Sequence, residues 1–392
     1  MKRIAAFFVT ILTVTILGAQ VPHRFVVPDV EGYKTLTADT HIHTIFSSCG
    51  ATWPTNRVDE AYMEGLDVIF ITDHLELFRK LYGPDFEDRN KSYELACERA
   101  RSFPDVMVLR GGEITRGMPP GHFNALFTKD NNPLAQASLA HGGYLRGDEV
   151  AANYDACKEA RKQDAFLVWC HPGWAGNAND LQAPNETIWH KEHTKLFEEG
   201  LMDGIEVFNN EYCPEAFEWA LKYNLTILSG TDVHQPIYMD VDFANGAYRP
   251  CTLVFAKEKT EEAIKEAFLD RRTAVTAEGL VWGRERELLP LMDAIVEVSD
   301  VKAGPSHAAH FKWTISCKLK NKSSIPVWIH KGAEDNDLMY SRSFILGPGE
   351  EKGFSVSFWE EGATSADVHL VIDNFFKAPD TPLNWTMHLE AE

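Results

Sequence analysis

The feature that most constrains the fold is an alternation of short β-rich runs with helical patterns between about residues 35 and 285. Strand-like runs such as DVIFITDH and FLVWCHP are separated by segments such as PEAFEWALKYN and TEEAIKEAFLDRR. In those segments apolar residues recur every three or four positions, as in an amphipathic helix. Alternation of this kind favours an α/β fold with a parallel sheet, and at this length it predicts a closed β/α barrel over residues 34–285.

The pattern changes after RERELLPLMD to strand-like runs without helices between them. Runs such as FKWTISCKLKN and ADVHLVID are accompanied by turn signals such as NKSS and GPGEE. We therefore predict a small all-β sandwich domain over residues 292–392. Its histidines fall on no spacing typical of metal ligands and are interpreted as structural: His307, His310, His330, His369 and His388.

The N-terminus has the pattern of an export signal over residues 1–20. Lys2 and Arg3 precede an apolar run from Ile4 to Leu17, which is short for a membrane span, and small residues follow. An uncleaved anchor is the weaker alternative, because polar chain follows at once. We expect a periplasmic or secreted protein from which this signal peptide has been cleaved.

Charge and cysteine usage exclude several classes of protein. The chain has 38 Lys and Arg residues against 58 Asp and Glu residues, a formal net charge of −20. Such a surface repels long nucleic acids and anionic membranes, so we expect neither as a partner, and no stable membrane insertion. The seven cysteines show no CxxC spacing, which argues against a zinc ribbon or a dense disulfide framework. The oligomeric state stays open.

Polar residues cluster where the predicted strands end, in the runs HIH, TDH, GGE, CHP and TDVH. The carboxyl ends of barrel strands meet at one mouth, so these side chains should converge there. A histidine pair on a strand is by itself more often packed or solvated than metal-bound. Together, however, imidazoles and carboxylates without thiolates suit zinc, manganese or iron. Glu113, which follows two glycines, is the candidate for a carboxylate that bridges two ions.

Other residues near these runs are weaker candidates. Arg116 lies in a Gly/Pro-rich loop and is predicted to contact a phosphate, with a solvent-facing arginine as the equal alternative. Asp39 could orient an imidazole, and Glu206 could equally form a structural hydrogen bond or act in catalysis. Trp174 and Tyr238 could form walls for an apolar leaving group, although loop packing is the commoner role.

The motifs DTHIHT, ITDH, GGEI, GHFN, CHP and GTDVH, in this order, resemble the polymerase and histidinol phosphatase (PHP) phosphoesterase family. The resemblance covers roughly residues 36–280. It implies a distorted seven-stranded β/α barrel, similar to a TIM barrel, with a two- or three-metal site that hydrolyses phosphate esters. With the added β-domain and export signal, the chain looks most like exported bacterial PHP phosphodiesterases.

The resemblance also implies ligand sets for the ions. The first set comprises His41, His43, Glu113 and Asp232, the second comprises Glu113, His122 and His171, and a third contains His74 and His234. The chain departs from the family where an acidic residue or histidine usually follows the HxH motif, because it has Ser48 and Cys49. If no third ion binds, His74 and His234 are free to handle protons in catalysis.

We therefore predict an exported metal-dependent phosphodiesterase with two or three divalent ions (zinc, manganese or iron). It would hydrolyse small anionic phosphodiesters, with a metal-bridging hydroxide as the nucleophile. The alternatives are a phosphomonoesterase, an amide or ester hydrolase that uses the same site, and a non-catalytic surface protein that binds metal or glycan.

Overall fold

A computed structural model describes residues 24–79, 87–174, 187–307, 310–334 and 338–391. Strands and helices alternate in the first part of the chain. Its strands are β1 (Lys34–Ile42), β2 (Val68–Ile71), β3 (Met107–Ile114), β4 (Phe123–Leu126), β5 (Phe166–Trp169), β6 (Gly204–Asn209), β7 (Glu211–Tyr212), β8 (Thr226–Ser229), β9 (Cys251–Ala256), β10 (Thr273–Ala277) and β11 (Leu280–Gly283). The helices are α1 (Pro54–Glu64), α2 (Lys91–Ala100), α3 (Asn132–Leu139), α4 (Glu149–Lys162), α5 (Lys191–Glu198), α6 (Pro214–Lys222), α7 (Glu261–Leu269) and α8 (Glu285–Ile295).

The strands of the first part form one mixed sheet. Hydrogen-bonded neighbours follow the order β10, β9, β1, β2, β3, β4, β5, β6, and β8 also pairs with β6. The pairs β1/β2, β2/β3, β5/β6 and β6/β8 are parallel. Strands β4 and β9, by contrast, run antiparallel to both of their neighbours. The predicted parallel sheet is thus only partly correct.

The reversal at β4 has a simple cause in chain length. Only residues 115–122 connect β3 to β4, with no helix between them. A parallel connection needs a crossover of a dozen or more residues, so a connection this short forces an antiparallel pair. Strands β2, β4, β5 and β8 are buried along their whole length, as expected where helices cover a sheet.

Side-chain hydrogen bonds bring β8 close to β1 and β9. Ser229 N donates to Thr252 Oγ1 (2.8 Å), and Thr40 Oγ1 donates to Ser229 O (3.1 Å). Among the described residues no backbone ladder joins β8 to β9. The structure therefore establishes a large mixed sheet, while closure into a barrel stays a prediction.

The second part of the chain consists of antiparallel strands. They are β12 (Val296–Pro305), β13 (Trp313–Asn321), β14 (Val327–Lys331), β15 (Ser343–Leu346), β16 (Glu351–Phe358), β17 (Ser365–Ala378) and β18 (Thr381–Glu390). Strands β12, β13 and β16 form a separate three-stranded sheet. Inward-facing residues alternate with exposed ones along β13 and β18, the pattern of a sheet with one buried face.

The two parts are joined by backbone pairing. Strand β17 pairs in parallel with β11, where Val281 lies opposite Phe375 and Trp282 opposite Phe376. The predicted division near residue 292 falls inside α8. Apolar side chains of both parts also belong to one buried cluster.

Two further predictions can be placed on this fold. The seven cysteines, all within the described ranges, are free thiols. The predicted signal peptide, residues 1–20, lies outside the described residues. No helix in the described part of the chain has the length and hydrophobicity needed to cross a membrane.

Candidate metal centre

The eight predicted metal ligands lie together at one edge of the large sheet. They are His41 and His43 at the end of β1, His74 after β2, Glu113 in β3, His122 before β4, His171 after β5, and Asp232 and His234 after β8. Their donor atoms form several groups in which all atoms lie within 4.8 Å of one another. The expected convergence is therefore observed, whereas ion binding by these residues stays a prediction.

The antiparallel direction of β4 explains how His122 reaches this edge. Ile114 pairs with Phe123, and Glu113 pairs with Asn124. The residue that precedes β4 therefore lies beside the residues that end β3. Strands β1 and β8 are aligned in a similar way by backbone hydrogen bonds beyond the strand ends, such as that from Asp232 N to His41 O (2.8 Å).

The first predicted ligand set surrounds the Nε2 atoms of His41 and His43, which lie 3.1 Å apart. Asp232 Oδ1 lies 2.9 Å from His43 Nε2 and 3.3 Å from His41 Nε2. Glu113 oxygens lie 3.6 and 3.7 Å from the same two nitrogens. Both imidazoles and the Glu113 side chain are fully buried.

The second predicted set also includes Glu113. Its Oε1 atom lies 2.7 Å from His122 Nδ1 and 3.4 Å from His171 Nε2. His122 Nε2 is buried and lacks a hydrogen-bond partner, so a lone pair is left unsatisfied beside these groups. Buried nitrogen atoms rarely stay unpaired without a functional reason.

The third predicted set lies next to the first. His43, His74 and His234 form one donor group, and the ring centroid of His43 lies 4.3 Å from that of His74 and 4.2 Å from that of His234. His74 Nδ1 contacts Thr115 Oγ1 at 2.7 Å and forms an ion pair with Glu113. His43 thus belongs to the donor groups of the first and third sets, and Glu113 to those of the first and second.

Hydrogen bonds determine the tautomers of His41 and His43 in the first set. These tautomers show whether the two imidazoles suit a cation. His41 Nδ1 lies 3.0 Å from the carboxylate of Glu206, so this nitrogen carries the proton. His43 Nδ1 lies 2.9 Å from Ser47 Oγ, whose own proton is donated to Asp73. Both Nε2 atoms therefore present lone pairs to each other, and only a positive charge between them makes this arrangement favourable.

Electrostatics at the centre also favour a cation. Burial lowers the pKa of His41, but the charges of Asp232 and Glu206 outweigh it and raise that pKa well above its ordinary value. Burial raises the pKa of Glu113, but the charges of His74 and His122 hold that pKa well below its usual range. The carboxylates of Glu113 and Asp232 are therefore ionised, and His41 attracts positive charge, which a proton or a metal ion can supply. Burial instead lowers the pKa of His43 and His122.

Backbone strain is concentrated at two of the candidate ligands. His171 (φ 30°) and Asp232 (φ 53°) lie in the left-handed region, which costs about 1–3 kcal/mol per residue. Gly230 allows a close approach nearby, because a Cβ atom there would lie 2.2 Å from His41 Cβ. Strain of this kind persists only where surrounding contacts hold the backbone in place.

Two acidic residues support the centre, Glu206 through hydrogen bonds, as one of its two predicted alternatives had it, and Asp39 in a way that differs from its prediction. Asp39 contacts no imidazole; it accepts hydrogen bonds from the backbone of His41 (3.2 Å) and Thr231 (3.0 Å) and pairs with Arg249. Glu206 is the carboxylate that orients an imidazole, as described above. The signal for Glu206 was present in the sequence, because a carboxylate inside the apolar strand GIEVFN must find a buried partner.

The structure does not favour Arg116 as a phosphate contact. Its side chain is fully buried, and its guanidinium donates to Ser138 Oγ and Gly142 O. Glu76 and Glu149 form ion pairs with the same group. Because these protein groups surround the guanidinium, it is a structural element behind the centre.

The aromatic candidates lie at different distances from the centre. Trp174 is half-exposed, and its ring centroid lies 5.3 Å from that of His171 and 5.9 Å from that of His122. Tyr144, which the sequence analysis missed, lies 6.1 Å from His122. Tyr238 is largely exposed and lines a cavity of about 360 Å³ beside α1 instead. Residues 80–86, between β2 and α2, and residues 175–186, between β5 and α5, lie outside the described residues.

Cys49 stands near the position where the family motif usually has an acidic residue or histidine. Burial raises the pKa of its thiol, but hydrogen bonds with His234 and His74 outweigh this and lower that pKa to about 6. A second thiol, Cys170, lies beside His41 and Glu206. Neither contact could be read from spacing, because both depend on how separate loops pack.

A solved structure with the same two-part organisation decides the family. It is a two-domain protein from Bacteroides vulgatus that contains a predicted PHP-like metal-dependent phosphoesterase, with 38% sequence identity to this chain and a TM-score of 0.79. The match covers 95% of this chain and 100% of that protein. The chain belongs to the PHP-like metal-dependent phosphoesterases. This membership and the imidazole and carboxylate clusters support a metal-dependent hydrolase of phosphate esters.

Other solved structures resemble this PHP-like protein less. The histidinol phosphate phosphatase of Lactococcus lactis shares 16% identity (TM-score 0.31), covering 59% of this chain and 93% of that one. A lesion-specific endonuclease from Pyrococcus furiosus shares 13% identity (TM-score 0.38), covering 64% and 59%. These likenesses are too weak to support an argument about the site. No protein-family model and no curated protein matched the sequence.

Proposed function

We propose that this PHP-like protein is an exported phosphodiesterase that hydrolyses small anionic phosphodiesters with two or three divalent ions, drawn from zinc, manganese and iron. The observation that carries the proposal is the facing lone pairs of His41 and His43, 3.1 Å apart and flanked by the carboxylates of Glu113 and Asp232. This arrangement is unfavourable without a cation and suits one well.

The ligand sets are those that the family resemblance implies, and the short distances between their donor atoms support them. His41, His43, Glu113 and Asp232 would hold one ion, and Glu113, His122 and His171 a second. Bound there, the ions would lower the pKa of water towards neutrality and withdraw charge from the phosphoryl oxygens. The residues around them set the orientation, since Glu206 fixes the ring of His41 and accepts the backbone N–H of His171 (2.8 Å).

Charge balance favours a diester over a monoester. Two divalent ions bring four positive charges, Glu113 and Asp232 bring two negative ones, and an attacking hydroxide subtracts one more, which leaves about +1. A diester carries one negative charge and a monoester carries two near neutral pH. The buried arginines Arg57 and Arg116 are bonded to protein acceptors and add no compensation for a second charge.

The proposal includes the finer fold and the location of the protein. We infer a distorted seven-stranded barrel over residues 34–285, followed by a sandwich domain over residues 292–392. The side-chain hydrogen bonds from β8 to β1 and β9 support closure of the barrel. The basic and apolar pattern of residues 1–20 supports export, and N-terminal sequencing of the mature protein should begin near residue 21.

The test of specificity compares two chromogenic esters. With zinc, manganese or iron restored, the purified protein should cleave bis(p-nitrophenyl) phosphate with a higher kcat/KM than p-nitrophenyl phosphate. Preference for the monoester by orders of magnitude would identify a phosphomonoesterase. Activity on acylated amino acids without phosphoester cleavage would instead identify an amide or ester hydrolase.

A further inference from the structure

The cavity of about 360 Å³ beside α1 is a second concave site on the large sheet. None of the eight candidate metal ligands, all within the described ranges, lines it. Its walls are mostly apolar and include four aromatic side chains, those of Phe25, Tyr238, Phe243 and Tyr248. The rings of Phe25 and Tyr248 contact each other, with centroids 4.9 Å apart. A cavity of this size and lining is typical of a site for a small organic molecule.

Two carboxylates of α1 form the acidic part of the lining. Glu60 and Glu64 are four residues apart, so they lie on the same face of the helix. Their side chains are 13% and 11% exposed, which leaves both in reach of a molecule in the cavity. Glu60 Oε1 also accepts a hydrogen bond from Ile237 N (3.1 Å), which attaches the opposite wall to the helix.

The ion pairs behind this wall leave a negative charge without a partner. Buried Arg249 lies 2.6 Å from Glu64 and 3.0 Å from Asp39, and Arg57 lies 2.8 Å from Glu60. Three carboxylates thus meet two guanidinium groups, and no other lysine or arginine in the described part of the chain pairs with them. Burial raises the pKa of Glu64 to about 7, although Arg249 opposes this shift. A positive group in the cavity would offset the excess charge.

The combination of acidic and aromatic groups selects one class of ligand. A neutral molecule would leave the excess negative charge uncompensated, and an anion would add to it. An ammonium group, by contrast, is attracted both by carboxylates and by the faces of aromatic rings. The formal net charge of −20 also favours the approach of cations over anions.

We propose that this cavity binds a small organic cation, in which an ammonium group is attached to an apolar or aromatic body. The ammonium group would lie against the carboxylates of Glu60 and Glu64, and the body would pack among the aromatic rings. The inference goes beyond the proposed function and does not depend on it, because the cavity contains none of the candidate metal ligands.

The test measures binding of three probes of similar size to the purified full chain by isothermal titration calorimetry. They are phenethylammonium, the neutral phenethyl alcohol and the anion hydrocinnamate. The ammonium probe should bind about 10-fold more tightly than the alcohol, as expected for a cation against aromatic rings and partly buried carboxylates. The anion should bind most weakly. Equal affinities for the three probes, or preference for the anion, would overturn the proposal.

A variant that fills the cavity shows whether the probe binds there. Ala247 lines the cavity and is exposed, so Ala247→Trp can place an indole in it without disturbing the buried core. This variant should lose binding of phenethylammonium. Ala140→Trp, at an exposed alanine next to α3 and outside the lining, should bind it as wild type does. Undiminished binding in Ala247→Trp would place the probe elsewhere and overturn the proposal.

A second variant tests the role of charge. Glu64→Gln removes a negative charge and keeps the shape of the side chain, so affinity for phenethylammonium should fall about 10-fold, to that of the alcohol. Affinity for the alcohol should stay unchanged, which shows that the cavity is still formed. The matched control is Glu98→Gln, at an exposed position of α2, which should keep the wild-type preference. A full preference for the ammonium probe in Glu64→Gln would contradict recognition by this carboxylate.

Discussion

Glu206 illustrates how one buried carboxylate determines the chemistry of its neighbours. It contacts His41 Nδ1 and accepts hydrogen bonds from His171 N and Asn209 Nδ2. With Nδ1 of His41 occupied in this way, the Nε2 lone pair is directed towards His43 and Asp232. The orientation of a candidate ligand is therefore set by a residue that no ligand motif contains.

Substituting Glu206→Gln should weaken zinc binding about 10–100-fold, measured by competition with a chelator of known affinity. An amide has one acceptor oxygen, so it cannot satisfy all three donors that the carboxylate satisfies. The control is Glu211→Gln, five residues along and exposed, which should leave zinc affinity unchanged. Equal affinities in wild type and Glu206→Gln would show that this carboxylate does not position His41.

His193 should make the protein less stable in mild acid. Burial lowers the pKa of His193 to about 3, although the hydrogen bond from Nε2 to Pro120 O (2.7 Å) partly opposes this shift. Nδ1 accepts from His190 N (3.0 Å), so the neutral ring has both of its nitrogen atoms hydrogen-bonded. The unfolded chain takes up this proton near pH 6.5. The stabilisation is therefore complete above that pH and is lost as pH falls, by about 1.4 kcal/mol per unit.

Urea unfolding at about pH 7.5 and about pH 5.5 checks this prediction. The variant His193→Gln cannot be protonated, so its unfolding midpoint should fall less between the two pH values than that of wild type. His307→Gln, at an exposed position, should keep the wild-type pH dependence. A wild-type slope in His193→Gln would assign the acid sensitivity to other groups.

At the residue scale, the sequence predicted the candidate metal ligands better than it predicted the residues that orient them. Strand-end position selected seven of the eight candidate ligands, because the carboxyl ends of barrel strands converge, and the family motif GHFN added His122. The sequence did not reveal that the guanidinium of Arg116 contacts Ser138 and Glu76, and its predicted contact with a phosphate stays a prediction. Such contacts join segments that are distant in sequence and leave no periodic trace.

Among the elements, the loop after β1 depends most on one side chain. Asp73 accepts four hydrogen bonds from this loop, two from Thr44 and two from Ser47. The distances range from 2.6 to 3.1 Å, and Asp73 is buried. The carboxylate of Asp73 therefore holds the loop that connects His43 to Cys49 together with backbone contacts such as that from Ser48 N to Leu77 O (2.7 Å).

Asp73→Asn should lower the free energy of unfolding by about 1.5–3 kcal/mol, the cost of losing hydrogen bonds to a buried charge. The measurement is urea unfolding of the metal-free protein, so that altered metal affinity does not contribute. Asp59→Asn, which breaks a half-exposed ion pair with Arg99, should cost less than about 1 kcal/mol. Equal losses in the two variants would mean that the Asp73 network adds nothing to stability.

The strand pattern predicted which elements exist and left their direction undetermined. The antiparallel direction of β4, for example, follows from the short connection over residues 115–122. That direction matters for the site, because it places His122 beside Glu113. An alternating pattern of strands and helices predicts the overall topology of a sheet. It does not reveal that one crossover helix is absent.

Across the whole molecule, the described parts form one continuous structure. Strand β17 extends the large sheet through its pairing with β11. Phe375 lies opposite Val281 in this pairing and is fully buried. The sequence predicted a β-sandwich but could not predict this junction, because the paired residues are distant in sequence.

Phe375→Ala should therefore destabilise both parts together, by about 3–5 kcal/mol. In a thermal scan followed by circular dichroism and by metal release, both signals should shift downward in one transition. Phe376→Ala, at a less buried neighbouring position, should cause a smaller shift. Metal retained after the β-strand signal has been lost would show that the two parts unfold independently.

The central claim is that residues from distant strands hold a cluster of divalent ions that enables phosphoester hydrolysis. Its most direct test is to add zinc or manganese back to the apoprotein while following cleavage of bis(p-nitrophenyl) phosphate. We predict no turnover without metal, recovery once at least two ions are bound per chain, and no recovery in Glu113→Gln. Turnover that persists after complete metal removal, or that returns fully in Glu113→Gln, would contradict the claim.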